Sequence, residues 1–249
     1  MTDMGTTTLP AANDKHRRYL LRWLSLYAIP YSVYMLGFVP AIGILKVATL
    51  YLPFGRTWWD IILIPAFITF ELGIVILSQF LISGGCLRLF RVCYADGTYQ
   101  YDIADPMTYK WMLVCSLYTP FRKLSEIIPL GPIKKIYLRL LGMTIGEHTL
   151  IGGTIKDPCL TKLGDNVTIG EYAVLYAHIQ DLQRGTIAMS TIRVGNNCVI
   201  GAGAIIMPGV TIEDNVIVAA GSLVPKNHVL KKGKVYAGNP AKEHKSPSK

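Results

Sequence analysis

Aliphatic residues recur at every sixth position between residues 194 and 224. They are Val194, Ile200, Ile206, Ile212, Val218 and Val224. An α-helix repeats near every 3.6 residues and a strand every second residue, so neither element alone produces a period of six. A chain that makes one short strand and one turn per six residues does produce it, and every aliphatic side chain then faces one interior. The spacing therefore predicts a parallel β-helix.

Small residues follow the aliphatic residues at a fixed distance and indicate the turns. Three positions after an aliphatic residue come Asn197, Gly203, Gly209, Asn215 and Gly221. The pattern begins earlier, near residue 145, and is irregular at residues 156–159. Its register breaks between Leu175 and Val194, so we predict that residues 178–191 form a loop outside the β-helix. After Lys226 the pattern stops.

Three stretches carry a resemblance to a known family. They are Gly-Asp-Asn-Val-Thr-Ile-Gly at 164–170, the run at 194–226, and Gly-Asn-Pro-Ala-Lys at 238–242. These stretches resemble the left-handed β-helix acyltransferases of the hexapeptide-repeat family, and the similar region covers residues 141–242. The resemblance implies a homotrimer that transfers an acyl group, most simply acetyl, from coenzyme A at sites between subunits.

The composition points to a membrane. Hydrophobic residues make up 51% of the chain and charged residues only 16%. The apolar excess lies in two runs, residues 23–45 without a charge and residues 61–87 with Glu71 as the single charge. Each run is long enough to cross ~30 Å of hydrocarbon. Together with the left hand that the family resemblance implies, these runs predict a mainly β fold class: a left-handed parallel β-helix preceded by a transmembrane α-helical hairpin and short amphipathic helices.

The distribution of basic residues predicts the orientation of the hairpin. Basic side chains are frequent before the first run and after the second, whereas only Lys46 and Arg56 lie between the runs. The positive-inside rule then places the N-terminus and the β-helix in the cytoplasm, where acyl-coenzyme A is found. The net charge of +9 suits an anionic membrane surface or a phosphorylated cofactor. No recognisable nucleic-acid module is present, so nucleic acid is not an expected partner.

We divide the chain into five regions. Residues 1–16 form a disordered tail, 17–91 the two-helix transmembrane hairpin, 92–142 a connector at the membrane surface, 143–226 the β-helix catalytic domain, and 227–249 a basic tail. The connector contains a predicted hairpin around Asp96-Gly97 and a helix that starts at Asp105-Pro106. Its last segment, residues 132–142, predicts a basic amphipathic helix. Such a helix lies on a membrane, or caps the first coil, or does both.

His178 is the histidine at the break in the register. Acyl transfer from a thioester needs a base that accepts the proton of the acceptor, and imidazole suits this task near neutral pH. In the family that the chain resembles, a histidine beside a protruding loop has this role, which implies His178 as general base. Asp181 would orient the imidazole, since His178-x-x-Asp181 resembles membrane-linked relatives at the C-terminal end of some peptide synthetases. An exposed loop histidine without a catalytic role is the alternative.

Coenzyme A needs backbone N–H groups at small residues and cations for its phosphates. The turns at Ala202-Gly203 and Ala220-Gly221 resemble the turns of the family that contact the cofactor, and Lys226 resembles a lysine near its nucleotide end. Tight coils need small residues whatever binds outside, so a purely structural role is the alternative. No set of histidines suits a metal, and we expect none.

Two further features bear on function. Glu71, as an intramembrane carboxylate, is either functional or hydrogen-bonded to Tyr31 or Tyr34. The five cysteines form no Cys-x-x-Cys pair and are expected to be free thiols in a reducing compartment. The expected acceptor is a hydroxyl or amine on a membrane-associated glycoconjugate or lipid. A membrane-tethered trimeric scaffold without enzymatic activity is the competing hypothesis, and a donor with a longer acyl chain is a third.

Overall fold

The structure is a computed structural model that describes residues 10–51, 58–128 and 131–244. Its helices are α1 (Pro10–Tyr51), α2 (Asp60–Leu89), α3 (Pro106–Ile127) and α4 (Gly131–Leu140). Strand β1 (Gly97–Gln100) lies between α2 and α3. Residues 1–9 of the predicted tail, the connection around Arg56 and residues 245–249 lie outside the described residues. Residues 10–16, predicted as disordered, belong to α1.

Short strands make up the second half of the chain. In order they are β2 (Thr144–Ile145), β3 (Leu150–Ile151), β4 (Thr154–Ile155), β5 (Thr161–Leu163), β6 (Thr168–Ile169), β7 (Val174–Leu175), β8 (His178–Asp181), β9 (Thr186–Met189), β10 (Ile192–Val194), β11 (Val199–Ile200), β12 (Ile205–Ile206), β13 (Thr211–Ile212), β14 (Ile217–Val218), β15 (Leu223–Val224), β16 (Val229–Leu230), β17 (Val235–Ala237) and β18 (Lys242–His244). A 3-10 turn, Pro158–Leu160, separates β4 from β5.

These strands form the predicted parallel β-helix. One sheet has the order β16-β13-β10-β5-β2, a second ends in β14-β11-β6-β3, and a third has the order β15-β12-β7-β4. Successive strands enter the three sheets in rotation, so each coil contributes one strand to every face. Val194 pairs in parallel with Ile212, eighteen positions later, which is one coil of three six-residue repeats. The left hand of this β-helix stays a prediction.

The six-residue spacing has the predicted physical cause. Ile200, Ile206 and Val218 have no exposed surface and lie inside the coils. The residue three positions after each of them sits in a turn that needs a left-handed backbone, as Gly203 does with φ 68° and Gly221 with φ 67°. Glycine adopts this conformation without the steric penalty that a side chain brings, which explains its recurrence.

The β-helix continues beyond residue 226, so the predicted boundary of the tail at residue 227 is wrong. Strand β16 pairs with β13 and strand β17 with β14, in the same parallel register as the coils before them. Leu230 and Tyr236 extend the six-residue spacing from Val224, and both are buried. The signal was present in the sequence but is weakened by the lysines around it.

Residues 178–191 form an antiparallel hairpin, β8 and β9, rather than an irregular loop. Strand β1 pairs with β9, from Gly97 opposite Met189 to Gln100 opposite Thr186. The local hairpin predicted around Asp96-Gly97 is therefore wrong. Strand β1 pairs instead with β9 of the hairpin that projects from the β-helix. The chain after Gln100 then leads to Asp105, the N-cap of α3.

Helix α4 caps the first coil of the β-helix. Leu138 is buried, and the Arg139 guanidinium donates to the carbonyl of Ile145 at 2.9 Å. Lys134 donates to the carbonyl oxygens of Ile151 and Gly153. Ile136 is half exposed on the outer surface, and contact of this helix with a membrane stays a prediction.

Two of the described helices are long and apolar enough to cross a membrane by length and composition. They are His16–Tyr51 within α1 and Ile61–Leu89 within α2, and both carry exposed apolar side chains. The expected partner of Glu71 is wrong, because the Tyr34 hydroxyl donates to the Ser116 carbonyl at 2.6 Å and Tyr31 is 68% exposed. Within the described residues, Glu71 Oε1 is buried without a hydrogen-bond partner.

Candidate functional site

His178 is the first residue of strand β8, at the point where the hairpin leaves the β-helix. It follows β7 after only two residues, so the rigid coil fixes its backbone. Its imidazole packs edge-on against the Trp111 ring, with centroids 4.9 Å apart, and its side chain is 16% exposed. The ring is thus held in place but is still reached by solvent.

Asp157 holds the imidazole of His178. The Nδ1 atom of His178 lies 2.7 Å from Oδ2 and 2.9 Å from Oδ1 of this carboxylate. An ionised carboxylate only accepts hydrogen bonds, so Nδ1 donates the proton. The Nε2 atom then keeps its lone pair and can accept a proton. This is the arrangement by which a carboxylate orients a general base.

The Asp157 carboxylate has no exposed surface, and a buried charge is costly unless hydrogen bonds satisfy it. Three donors besides His178 supply them. The Tyr94 hydroxyl donates at 2.9 Å and the Trp111 indole N–H at 3.3 Å, both to Oδ1. The backbone N–H of Ala177 donates to Oδ2 at 2.9 Å. Together they fix the carboxylate in one position.

The connector between α2 and the β-helix supplies two of these donors. Trp111 is on α3, which begins as predicted, because the Asp105 side chain accepts from the N–H groups of Met107 and Thr108. Tyr94 precedes β1. Burial, and then the nearby Asp157 carboxylate, raise the pKa of Tyr94 well above its ordinary value, so Tyr94 stays a neutral donor.

Asp157 was not identified from the sequence. It lies at the irregular stretch of residues 156–159, where the chain leaves β4 and enters the 3-10 turn. Ile155 pairs with Leu175 in the adjacent coil, so the residues that follow both strands lie side by side. The irregular stretch was the signal available in the sequence. It marks a turn that buries an acid next to His178.

Asp181 does not contact the imidazole of His178. Its Oδ1 atom accepts from the N–H groups of Gln183 and Arg184, each at 3.1 Å, and so stabilises the tip of the hairpin. His178 stands at the base of the same strand, and three residues of strand span ~10 Å. In this geometry the carboxylate that contacts the imidazole is therefore Asp157 and not Asp181.

The structure brings four of the predicted cofactor-binding residues together. Ala202-Gly203 and Ala220-Gly221 are equivalent turns of successive coils, linked by the Gly221 N–H to the Ala202 carbonyl at 2.8 Å. Among the residues that the structure describes, the N–H groups of Ala202 and Ala220 donate no hydrogen bond, and both residues are exposed. Two free N–H donors on successive coils suit the amide and phosphate oxygens of coenzyme A.

Lys226 lies at a different corner of the β-helix. It is exposed in the turn between β15 and β16, whereas the two glycine turns precede β12 and β15. Its neighbour Asn227 donates to the Pro208 carbonyl, and Gly209 in turn donates to the Ser190 carbonyl beside the hairpin. Within one chain, Lys226 is therefore at the corner of the His178 hairpin.

No group of three or more metal-ligating side chains occurs among the described residues.

Comparisons with known proteins concern the β-helix. Residues 191–226 match the family model described as bacterial transferase hexapeptide (six repeats). No curated protein matches the chain. The family match confirms the hexapeptide repeat in that stretch.

Solved acetyltransferase structures align with about half of the chain. The maltose O-acetyltransferase from Clostridium difficile 630 is 23% identical, with a TM-score of 0.41, over 53% of this chain and 84% of that chain. The galactoside acetyltransferase in complex with coenzyme A is 24% identical, with a TM-score of 0.42, over 52% and 78%. A hexapeptide-repeat acetyltransferase from Vibrio cholerae complexed with acetyl coenzyme A is 23% identical, with a TM-score of 0.41, over 51% and 84%.

Proposed function

We propose that this protein is a membrane-bound acyltransferase. It moves an acetyl group, or a longer acyl group, from coenzyme A to a hydroxyl or amine of a membrane-associated glycoconjugate or lipid. The observation that carries the proposal is the contact of His178 Nδ1 with the buried Asp157 carboxylate, which leaves Nε2 available as a base. The match of residues 191–226 to a transferase repeat supports it.

In the proposed reaction, His178 Nε2 takes the proton of the acceptor hydroxyl or amine as the acceptor atom bonds to the acyl carbon. The carbon–sulfur bond of the thioester then breaks, and the imidazolium returns the proton to the departing thiolate. Asp157 stabilises the imidazolium without taking its proton. Backbone N–H groups near the cleft would stabilise the oxyanion that forms on the acyl carbonyl.

Tyr94 and Trp111 act as positioning residues in this proposal. Both donate to Asp157 Oδ1, and Trp111 also contacts the His178 ring. They prevent the carboxylate from rotating away from Nδ1. Since a base must be held within hydrogen-bonding distance of its target, this support affects the rate of transfer rather than binding of the donor.

The donor would bind between two copies of the chain in a homotrimer. The free N–H groups of Ala202 and Ala220 lie at one corner of the β-helix, and Lys226 lies at the corner of the His178 hairpin. In a trimer, the corner of Ala202 and Ala220 on one protomer would face the hairpin corner of its neighbour. One coenzyme A molecule would then contact both corners, and their separation within one chain supports a site shared between protomers.

The position of the site suits an acceptor at the membrane. Tyr94, which contacts Asp157, follows the end of α2 at Leu89 by five residues. Five residues span at most ~18 Å, so the catalytic centre is tied close to the end of an apolar helix. In the proposed topology α1 and α2 cross the bilayer, and the N-terminus and the β-helix lie in the cytoplasm with the acyl-coenzyme A.

Calorimetric titration of acetyl-CoA into the detergent-purified protein tests the donor. We expect saturable binding that His178→Ala retains, because the base does not hold the donor, and that Ala220→Pro weakens, because proline removes one free N–H. Circular dichroism of Ala220→Pro controls for folding. Absence of binding of acetyl-CoA and of longer acyl-CoAs to the folded protein would overturn the acyltransferase proposal and leave the trimeric scaffold.

A further inference from the structure

Two cysteines from distant parts of the chain meet beside the candidate site. Cys93 precedes Tyr94, and Cys159 lies in the 3-10 turn that follows Asp157. A Cβ built at Gly142 would lie 3.4 Å from Cys159 Cβ and 4.0 Å from Cys93 Sγ, so the two side chains share one contact point. The Cys93 thiol donates to the carbonyl of Tyr94 at 3.7 Å, and both cysteines are free thiols.

The contact is held in place by the same hydrogen bond that supports the base. The Tyr94 hydroxyl donates to Asp157 Oδ1 at 2.9 Å; Tyr94 directly follows Cys93, and Asp157 lies two residues before Cys159. This hydrogen bond therefore joins the segment before β1 to the turn after β4 beside the two cysteines. The two segments that carry the sulfur atoms are thus held in fixed relative positions.

The two thiols have opposite environments. Cys93 is exposed, whereas Cys159 is partly buried. The neighbouring Cys159 thiol, opposed in part by burial and assisted by the nearby Lys110, lowers the pKa of the Cys93 thiol to about 7. The neighbouring Cys93 thiol and burial raise the pKa of Cys159. One thiol is thus a nucleophile near neutral pH, and its neighbour is a protected second thiol.

Cys93 opens onto a cavity of about 550 Å³. Arg88 and Arg91 line this cavity with it, at the end of α2. Two guanidinium groups favour a small molecule that carries carboxylates. The cavity therefore gives an anionic reagent access to the exposed sulfur while Cys159 stays behind it.

We propose that Cys93 and Cys159 form a thiol–disulfide exchange pair that reacts with a small anionic disulfide of the glutathione type. The Cys93 thiolate attacks one sulfur of the small disulfide, forms a mixed disulfide and releases one small thiol. Cys159 then loses its proton, attacks the Cys93 sulfur and releases the second small thiol. The small disulfide is reduced by two electrons and the protein gains one disulfide.

The disulfide would connect the segment that carries Tyr94 to the turn that carries Asp157. A bonded sulfur pair is ~2.05 Å apart, much closer than two thiols in contact. Closing that distance moves both segments relative to His178. The redox state of the pair would thereby be transmitted to the candidate site.

The test uses the detergent-purified full chain, reduced and then incubated with oxidised glutathione, followed by intact mass and non-reducing peptide mapping. We expect a Cys93–Cys159 disulfide without bound glutathione in the wild type. Cys159→Ser should instead retain one glutathione on Cys93, and Cys93→Ser should react at neither position. Cys198→Ser, which removes a buried thiol of the β-helix interior, is the matched control and should behave as the wild type.

Two results would overturn the proposal. One is a wild-type protein that keeps glutathione on Cys93, which would show that Cys159 does not resolve the mixed disulfide. The other is a wild-type protein, folded by circular dichroism, that forms no Cys93–Cys159 disulfide over a range of oxidised glutathione concentrations. Both readouts are independent of acyl transfer, so they do not depend on the proposed function.

Discussion

His178 Nδ1 lies 2.7 Å from Oδ2 of Asp157, a carboxylate that has no exposed surface and precedes the histidine by twenty-one residues. The two residues follow paired strands of adjacent coils, so the β-helix itself sets their distance. A buried carboxylate that accepts from an imidazole fixes one tautomer and leaves the other nitrogen free. This relationship yields the first prediction.

Asp157→Asn should lower the rate of acyl transfer by ~10²–10⁴-fold, because an amide no longer enforces the tautomer that leaves Nε2 free. Binding of acetyl-CoA should be unchanged. The matched control is Asp181→Asn, which alters an exposed hairpin tip and should keep most of the activity. Equal losses for the two variants in a steady-state assay would contradict the assignment.

Tyr94→Phe should reduce the free energy of unfolding by about 1.5–3 kcal/mol, because a charged buried group loses one of its donors. We also expect a lower turnover number with little change in KM for acetyl-CoA. Tyr99→Phe removes a hydroxyl that bonds only exposed backbone carbonyls and serves as the control. Denaturant unfolding in detergent measures the difference, and an equal effect of both variants would argue against the role of Tyr94.

Ile206→Ala should destabilise the β-helix by about 2–5 kcal/mol, because a fully buried side chain inside the coils is replaced by a cavity. Ile217→Ala removes the same atoms from a position that is 44% exposed on the outside of the same β-helix, and should cost far less. Thermal unfolding followed by circular dichroism compares them. A larger effect at Ile217 would contradict the inside and outside assignment of the repeat.

The rate at which iodoacetamide alkylates Cys93 should rise with pH and reach half its maximum near pH 7. Only the thiolate reacts, and the neighbouring Cys159 thiol lowers the pKa of Cys93 to about 7. In Cys159→Ala this interaction is lost, so the midpoint should move upward, toward ~8.5. Peptide mass spectrometry after timed alkylation gives both curves. A midpoint that does not move would show that Cys159 does not set the reactivity of Cys93.

The sequence was sufficient for the β-helix because its six-residue period is local and repeated. The aliphatic residues at 194, 200 and 206 occupy the same buried position in successive repeats, so one irregular repeat does not obscure the pattern. The helices α1 and α2 could be predicted equally well from the sequence, since apolar runs of that length are visible without knowledge of contacts. His178 was proposed as a candidate because it stands where the period breaks.

The remaining features depend on contacts between distant residues. Strand β1 pairs with β9, and Gly97 faces Met189 across more than ninety residues, which no local pattern indicates. Asp157 is separated from His178 by an irregular coil, so counting in steps of six does not align them. Asp181 is closer to His178 in sequence, but its side chain bonds the backbone of the hairpin tip and does not contact the imidazole. The proximity of Cys93 and Cys159 has the same origin, since each cysteine lies within two residues of a partner in the Tyr94–Asp157 hydrogen bond.

The most direct test of the proposed base is transfer of radiolabelled acetyl from acetyl-CoA to isolated membranes by the purified protein, compared with His178→Ala and His178→Gln. We predict label in the lipid or glycoconjugate fraction with the wild type, and a loss of ~10²-fold or more with both variants although each still binds acetyl-CoA. Transfer by the His178 variants at the wild-type rate would contradict the central claim that this imidazole is the base.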